Sequence, residues 1–518
     1  MEFMRLERFV EKRIRHIFVF LLVLDLIVCA FAEAVEEMAV PGTGHRNVLC
    51  MLMGAGLVLF IAFFYMSVSD VKNRKGRFRD LHIGLLGKDD RVFLLFSSVL
   101  LLLYLIFSTH FYYFETGWDA GTVIWNAQLL ADGRIAELEN DYFSIYPNNV
   151  ILSVLFSYII KVGRMIPIGT DYYVLVAFQC ICMVICSNLI FKTLLSLSLP
   201  EYMAHVGRCI FILIAVLSPW VVLPYSDTVG MFFMVLIVYV YTLDKHRFLL
   251  GFLVLFGAMI KPTVFIFAVA LFLVVFPEYL QNRHDKGLLK SVILFMVGAL
   301  IAYISAKALI HTAGFEINKD SSMGPAHYLM MGLNEEYRGV INVEDQDFSI
   351  GISDPGERVR SELAVAKARF KEMWPGRLFH HLLRKELYSA GDGTFAWGVD
   401  GQFFFTFIWT GHERLENIFR DFYYPERRFY NLYRLFMQSM WLGMIIFSVI
   451  GALSKGKDKY RVLYLTIVGM ILFEMIFEPR ARHMLLCVPI MCITASDSAS
   501  ALAAGIKGLT RRKPRYEK

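Results

Sequence analysis

Long apolar runs separated by short polar connections dominate this chain. They fall at 16–34, 48–68, 92–113, 149–162, 173–195, 206–222, 228–243, 248–260, 264–279, 288–310, 433–453, 462–477 and 484–504. A helix needs about 20 apolar residues to cross a bilayer, so most of these runs predict membrane spans. One stretch breaks the pattern. Residues 312–431 are polar, lie between spans, and far exceed the usual loop length of about 12–15 residues. Phe315, Tyr328, Tyr337, Phe348, Phe370, Trp374, Phe395 and Trp397 give this stretch the means to fold. Within it, Asp354-Pro355-Gly356 opens a helix over 357–374, with Val359, Leu363, Ala366, Phe370 and Met373 at helical spacing. Gly391-Asp392-Gly393 and Gly398-Val399-Asp400-Gly401 break the chain near the membrane. The pattern therefore predicts an all-α polytopic membrane protein: a bundle of about 12–13 transmembrane helices under a small, mainly helical cap.

Composition agrees. Of 518 residues, 57% are hydrophobic and 19% charged, against about 45–50% and about 25% in soluble domains. The net charge of +6 is not a nucleic-acid signal, because the basic residues follow topology. Arg5, Arg8, Lys12, Arg13 and Arg15 precede the first run, and Lys72, Arg74, Lys75, Arg77 and Arg79 follow the second. Lys455, Lys457, Lys459 and Arg461 form a short loop, and Lys507, Arg511, Arg512, Lys513 and Arg515 end the sequence. The positive-inside rule places all of these in the cytoplasm, and loops 33–44, 115–141 and 312–431 outside. Asp244-Lys245-His246-Arg247 and Lys286 also read as cytoplasmic, which leaves one run too many between Asp119 and Lys192. The short 149–162 run is the candidate for a re-entrant or half-span helix. Ala30-Phe31-Ala32 resembles a signal-peptidase site, with an uncleaved anchor the favoured reading. Cys29, Cys50, Cys180, Cys182, Cys186, Cys209, Cys487 and Cys492 all lie in or beside apolar runs, without zinc spacing or a disulfide framework.

Four ionisable clusters converge on the predicted outer face. Asp119 follows Trp118 where the 92–113 run ends, either as a carboxylate base or as a cap on the next helix. Asp227, in Tyr225-Ser226-Asp227, is again a helix cap or a functional acid. Lys261 stands between two short runs; it either meets an anion there or snorkels to an interface. Glu478-Pro479-Arg480-Ala481-Arg482-His483 keeps two arginines outside, where the topology rule disfavours them. They bind phosphate through planar forks, or Glu478 pairs with Arg482 locally. The sequence carries no P-loop, dinucleotide fingerprint, zinc-protease helix or nucleophile elbow.

These residues resemble the GT-C superfamily of polytopic glycosyltransferases, nearest in style to protein-mannosyltransferase and lipid A arabinosyltransferase relatives. The resemblance runs loosely from residue 92 to about 504, with two additional spans before it. Trp118-Asp119 with Ala127 to Gly133 resembles the acidic first-loop motif, although Ala120 replaces the second acid of the usual pair. Tyr146-Pro147-Asn148 resembles a Tyr-Pro-Pro element. Tyr225-Ser226-Asp227 resembles a Tyr-Ser-acid motif, and Arg482-His483 with Pro489 a late Arg-Tyr…Pro motif.

The resemblance implies transfer of a sugar from a polyprenyl-phosphate-linked donor to a glycan, lipid or protein acceptor on the outer face of the plasma membrane. It implies Asp119 as base, with Tyr146, Asp227, Lys261, Arg480, Arg482 and His483 binding substrate. No cofactor is fixed; a divalent metal stays open. Partners are the donor, the acceptor and membrane lipids, not nucleic acid. The expected organisation is two leading helices (1–91), a core (92–311) with a catalytic loop at 114–147, the cap (312–431), closing helices (432–506) and a basic tail (507–518). A flippase, transporter, polymerase or ligase for lipid-linked saccharides is the alternative.

Overall fold

The computed structural model describes residues 2–36, 41–75, 90–166, 169–281, 286–398, 406–454 and 460–511. The basic positions Arg77, Arg79, Lys455, Lys457, Lys459, Arg512, Lys513 and Arg515 lie outside these. The protein is an all-α polytopic membrane protein. Among the described residues, six helices are long and apolar enough to cross a bilayer, and shorter apolar helices accompany them. The Val488–Arg511 helix runs through the middle, flanked by Tyr430–Leu453, Glu201–Phe211 and Thr43–Lys75. The first helix, Glu2–Ala30, packs on Tyr430–Leu453 and Arg461–Ile476.

Where helices cross most closely, small residues permit it, as expected when lipid leaves packing to drive association. A Cβ on Gly54 would lie 1.8 Å from the Ser439 carbonyl oxygen, and one on Gly251 would lie 2.0 Å from that of Phe295.

The helix ends sort onto two faces. On one, Arg15 reaches the Ser454 carbonyl, Lys507 pairs with Asp70, and Ser196 bonds Thr242. On the other, Arg164 joins Asp132 and Asp171 at 2.6 Å each, and Lys261 meets Asp227.

This sorting accounts for the extra run, in keeping with 149–162 as the segment that does not cross. The Val150–Gly163 helix lies alongside Asp119–Asp132, with Ser153 Oγ donating to the Val123 carbonyl at 2.8 Å. One end, at Asn149, lies beside Tyr225, and the other, at Arg164, pairs with Asp171. Both ends occupy one face, so this helix does not cross. The run 206–222 differs: its helix starts at Glu201 and passes into a π-turn at Ile212–Val216.

The cap is helical, as the pattern implies. It contains Pro325–Gly332, Val343–Ile350, Pro355–Met373, Gly376–Ala390 and Glu413–Tyr423. Pro355 opens the third of these behind Asp354, whose carboxylate accepts from Glu357 N at 2.6 Å, a proline-first start with a capping acid. The cap is tied to the bundle. Glu36 pairs with Arg338 at 2.9 Å and Arg384 at 3.1 Å, while Trp220 Nε1 donates to the Thr394 carbonyl at 3.0 Å. Lys385 Nζ donates to the carbonyls of Gly332 at 2.8 Å and Phe477 at 2.6 Å.

Candidate active site

Phe114–Glu115 pairs antiparallel with Thr406–Phe407 and fixes the chain as it leaves the Asp90–Thr109 helix. The next turn is tight. A Cβ on Gly121 would lie 2.1 Å from the Thr116 carbonyl oxygen, so only glycine closes it. The Asp119–Asp132 helix then forms because Ala120, Val123, Ile124, Ala127 and Leu130 repeat at helical spacing and are buried. Gly133, at φ 74°, ends it by donating to the Leu129 and Leu130 carbonyls. Asp119 is the first helical residue and the N-cap position belongs to Trp118, so the capping alternative for Asp119 is not the arrangement found.

Aromatic side chains wall the half-buried Asp119 carboxyl. The Tyr142 hydroxyl sits beside it and accepts from Asn149 Nδ2 at 2.7 Å. The Tyr146 ring lies 5.3 Å from that of Tyr142, and its hydroxyl accepts from cap residue Gln346 at 3.1 Å. Trp118 packs edge-on against Tyr225 at 5.0 Å. The Arg482 guanidinium lies 4.7 Å over the Trp118 ring and 5.9 Å from that of Tyr225. Burial pushes the Asp119 carboxyl above the usual carboxylate range, against the pull of Arg482 and the Tyr142 hydroxyl.

The cationic side of the site is built from three breaks in helices. Lys261 occupies the break between Arg247–Ile260 and the 3₁₀ turn Pro262–Val264, and its stem crosses Gly230, where a Cβ would lie 2.9 Å away. It is buried and meets Asp227 at 2.5 Å, so it does not snorkel to an interface. Asp227 lies in the first turn of Ser226–Thr242, and its second oxygen faces Arg482 Nε at 3.8 Å. It serves as the shared counter-ion of two cations rather than as a cap.

The Glu478–His483 loop is held from beneath by Glu474, which is fully buried. The Glu474 carboxylate accepts from Arg480 N at 2.6 Å and contacts His483 Nδ1 at 2.9 Å. Glu478 pairs with Arg480 at 2.8 Å, not with Arg482; the loop is extended before a 3₁₀ turn at Ala481–Leu486, so helical spacing does not apply. Burial, with Lys261, Arg482 and Arg480 nearby, pulls His483 well below its ordinary value. The ring is turned to Glu474.

The structure therefore brings Asp119, Tyr146, Asp227, Lys261, Arg480 and Arg482 into one neighbourhood, with His483 behind the loop. Sequence reasoning passed over Tyr142, Asn149 and Glu474. Glu474 carried a signal, being a lone carboxylate inside the 462–477 run. Among the described residues, no three His, Cys, Asp or Glu side chains come together to hold a metal.

A family model described as conserved hypothetical integral membrane protein matches residues 6–502. The chain belongs to that family. Comparisons with curated proteins and with solved structures gave no match. The family match spans the leading helices, the bundle and the cap together, so the site and both faces lie within one family unit.

Proposed function

We propose that this protein is a membrane glycosyltransferase that moves a sugar from a polyprenyl-phosphate-linked donor to an acceptor hydroxyl. The observation that carries this reading is that one half-buried carboxylate, Asp119, lies near Arg482, which shares the Asp227 counter-ion with the buried Lys261. Asp119 accepts the acceptor's proton as its oxygen bonds the anomeric carbon. The bond from that carbon to phosphate oxygen breaks, and polyprenyl phosphate leaves with the electron pair. Arg482 and Lys261, with Arg480 beside them, offset the growing phosphate charge, and because they are already in place no reorganisation is needed at that moment. One base and one displacement invert the anomeric centre. Tyr142, Tyr146, Trp118 and Tyr225 give the apolar walls and few polar groups typical of a small-ligand site.

The face opposite Asp119 carries Arg15, Lys245, Arg247 and Lys286, so the positive-inside rule supports a site on the outer side of the plasma membrane. Purified protein in a bilayer, given a polyprenyl-phosphate sugar and an alcohol acceptor, should form a new glycoside detectable by mass spectrometry. Sugar-lipid crossing the bilayer without any glycoside would instead identify a transporter.

A further inference from the structure

Arg208 stands apart from the Asp119 site and is 5% exposed within the bundle. It lies seven positions into Glu201–Phe211, about 10 Å along that helix at 1.5 Å per residue. Ser97 and Ser98 lie at a similar distance from the start of Asp90–Thr109, and Asn188 from the end of Asp171–Ser196. These positions therefore share one level, on the half of the bundle opposite Asp119.

Among the described residues, the guanidinium's hydrogen-bond partners are neutral. Its Nη1 donates to Ser97 Oγ at 2.9 Å and its Nη2 to Ser98 Oγ at 3.2 Å, while Asn188 Nδ2 donates to Ser98 at 2.9 Å. Arg208 Nε is buried without a hydrogen-bond partner. Among the described residues, no carboxylate pairs with Arg208. A charged residue at this depth is expensive, and such residues normally pair or line a ligand path. Two hydroxyls do not neutralise a guanidinium; a phosphate presented to its planar fork does.

The surroundings indicate the direction of approach. One turn toward the helix start, His205 stacks on Tyr65 at 5.6 Å and packs against Phe191 at 4.7 Å and Phe93 at 5.7 Å. This collar lies between Arg208 and the aqueous end of its helix. Ser97, by contrast, is only half-buried, and its neighbours Leu95, Phe96 and Val99 are exposed on the bilayer-facing side. The side of this cluster nearest the surface is therefore the bilayer-facing one.

We propose that Arg208, with Ser97 and Ser98, forms a second site that holds the phosphate of an anionic phospholipid from the leaflet opposite Asp119. Native mass spectrometry of wild-type protein released from nanodiscs containing equal phosphatidylglycerol and phosphatidylcholine tests it. Phosphatidylglycerol should be retained preferentially, and Arg208→Gln should lose that preference by about tenfold or more. A parallel arm adds inorganic phosphate to lipid-stripped protein in detergent and follows the unfolding temperature. Stabilisation by phosphate with no lipid preference would overturn the lipid assignment in favour of a free anion. Equal retention of both lipids by the wild type, with no response to phosphate, would overturn the site, and that arm does not depend on whether the variant folds. Arg208→Gln retaining the full wild-type preference would also overturn it.

Discussion

Lys261 reaches Asp227 across 2.5 Å, joining the break after one helix to the first turn of another. Both side chains are buried, so removing either partner leaves a charge in a poor solvent. Lys261→Met should lower stability by about 3–5 kcal/mol, and a Lys261→Met/Asp227→Leu double variant should regain much of that loss. Thermal unfolding in detergent measures both. A single variant as stable as wild type would show that the pair does not hold these helices together.

Lys385 gives the cap a pH dependence. Burial pushes its ammonium down to about 7, against the pull of Glu474, Glu478 and Glu386. An unfolded lysine titrates near 10.4, so between about pH 7 and 10 the unfolded state binds more protons than the folded state. Stability therefore rises with pH through this window, relative to a Lys385→Met variant that lacks the group. Unfolding curves of both proteins at pH 7 and pH 9 check the sign. A difference between them that stayed flat, or shrank, would contradict it.

Close helix crossing supplies a steric test. Gly54→Ala would drive a methyl into the Ser439 carbonyl, whereas a Cβ on Gly56 meets nothing within 4 Å. The first substitution should cost about 1–3 kcal/mol by overpacking, and Gly56→Ala should be near neutral. Equal unfolding temperatures for the two variants would place this crossing elsewhere.

Topology is checked by labelling. The native cysteines are buried or nearly so. Ala136→Cys and Ala368→Cys, on exposed positions of the Asp119 face and cap, should react with impermeant maleimide in intact cells. Lys245→Cys should react only after permeabilisation. The reverse pattern would put the site in the cytoplasm.

Much of this fold was legible because lipid demands long apolar segments, and the hydropathy pattern records them directly. The 149–162 run is set apart by its length and by the parity of the basic loops, not by its apolarity. Its apolarity serves packing against Asp119–Asp132, and a hydropathy pattern does not distinguish a helix buried in protein from one facing lipid. The candidate residues Asp119, Asp227, Lys261 and Arg482 were visible as charges at the ends of apolar runs. Their partners were not. Asp227 meets Lys261 and Arg482 only through tertiary folding, and Tyr142 joins Asp119 through a loop whose path no local rule sets. Arg208 and Glu474 lay inside predicted spans, where a single charge among apolar residues is the available signal.

The central claim is that Asp119 removes a proton during transfer while Arg482 holds phosphate. The most direct measurement compares sugar transfer and donor-lipid binding for Asp119→Asn and Arg482→Ala. Asp119→Asn keeps shape but cannot accept the proton, so turnover should fall by about 10²-fold or more with donor binding largely intact. Arg482→Ala should weaken both, because a phosphate contact acts in the ground state as well as the transition state. Transfer at the wild-type rate by Asp119→Asn would contradict the account.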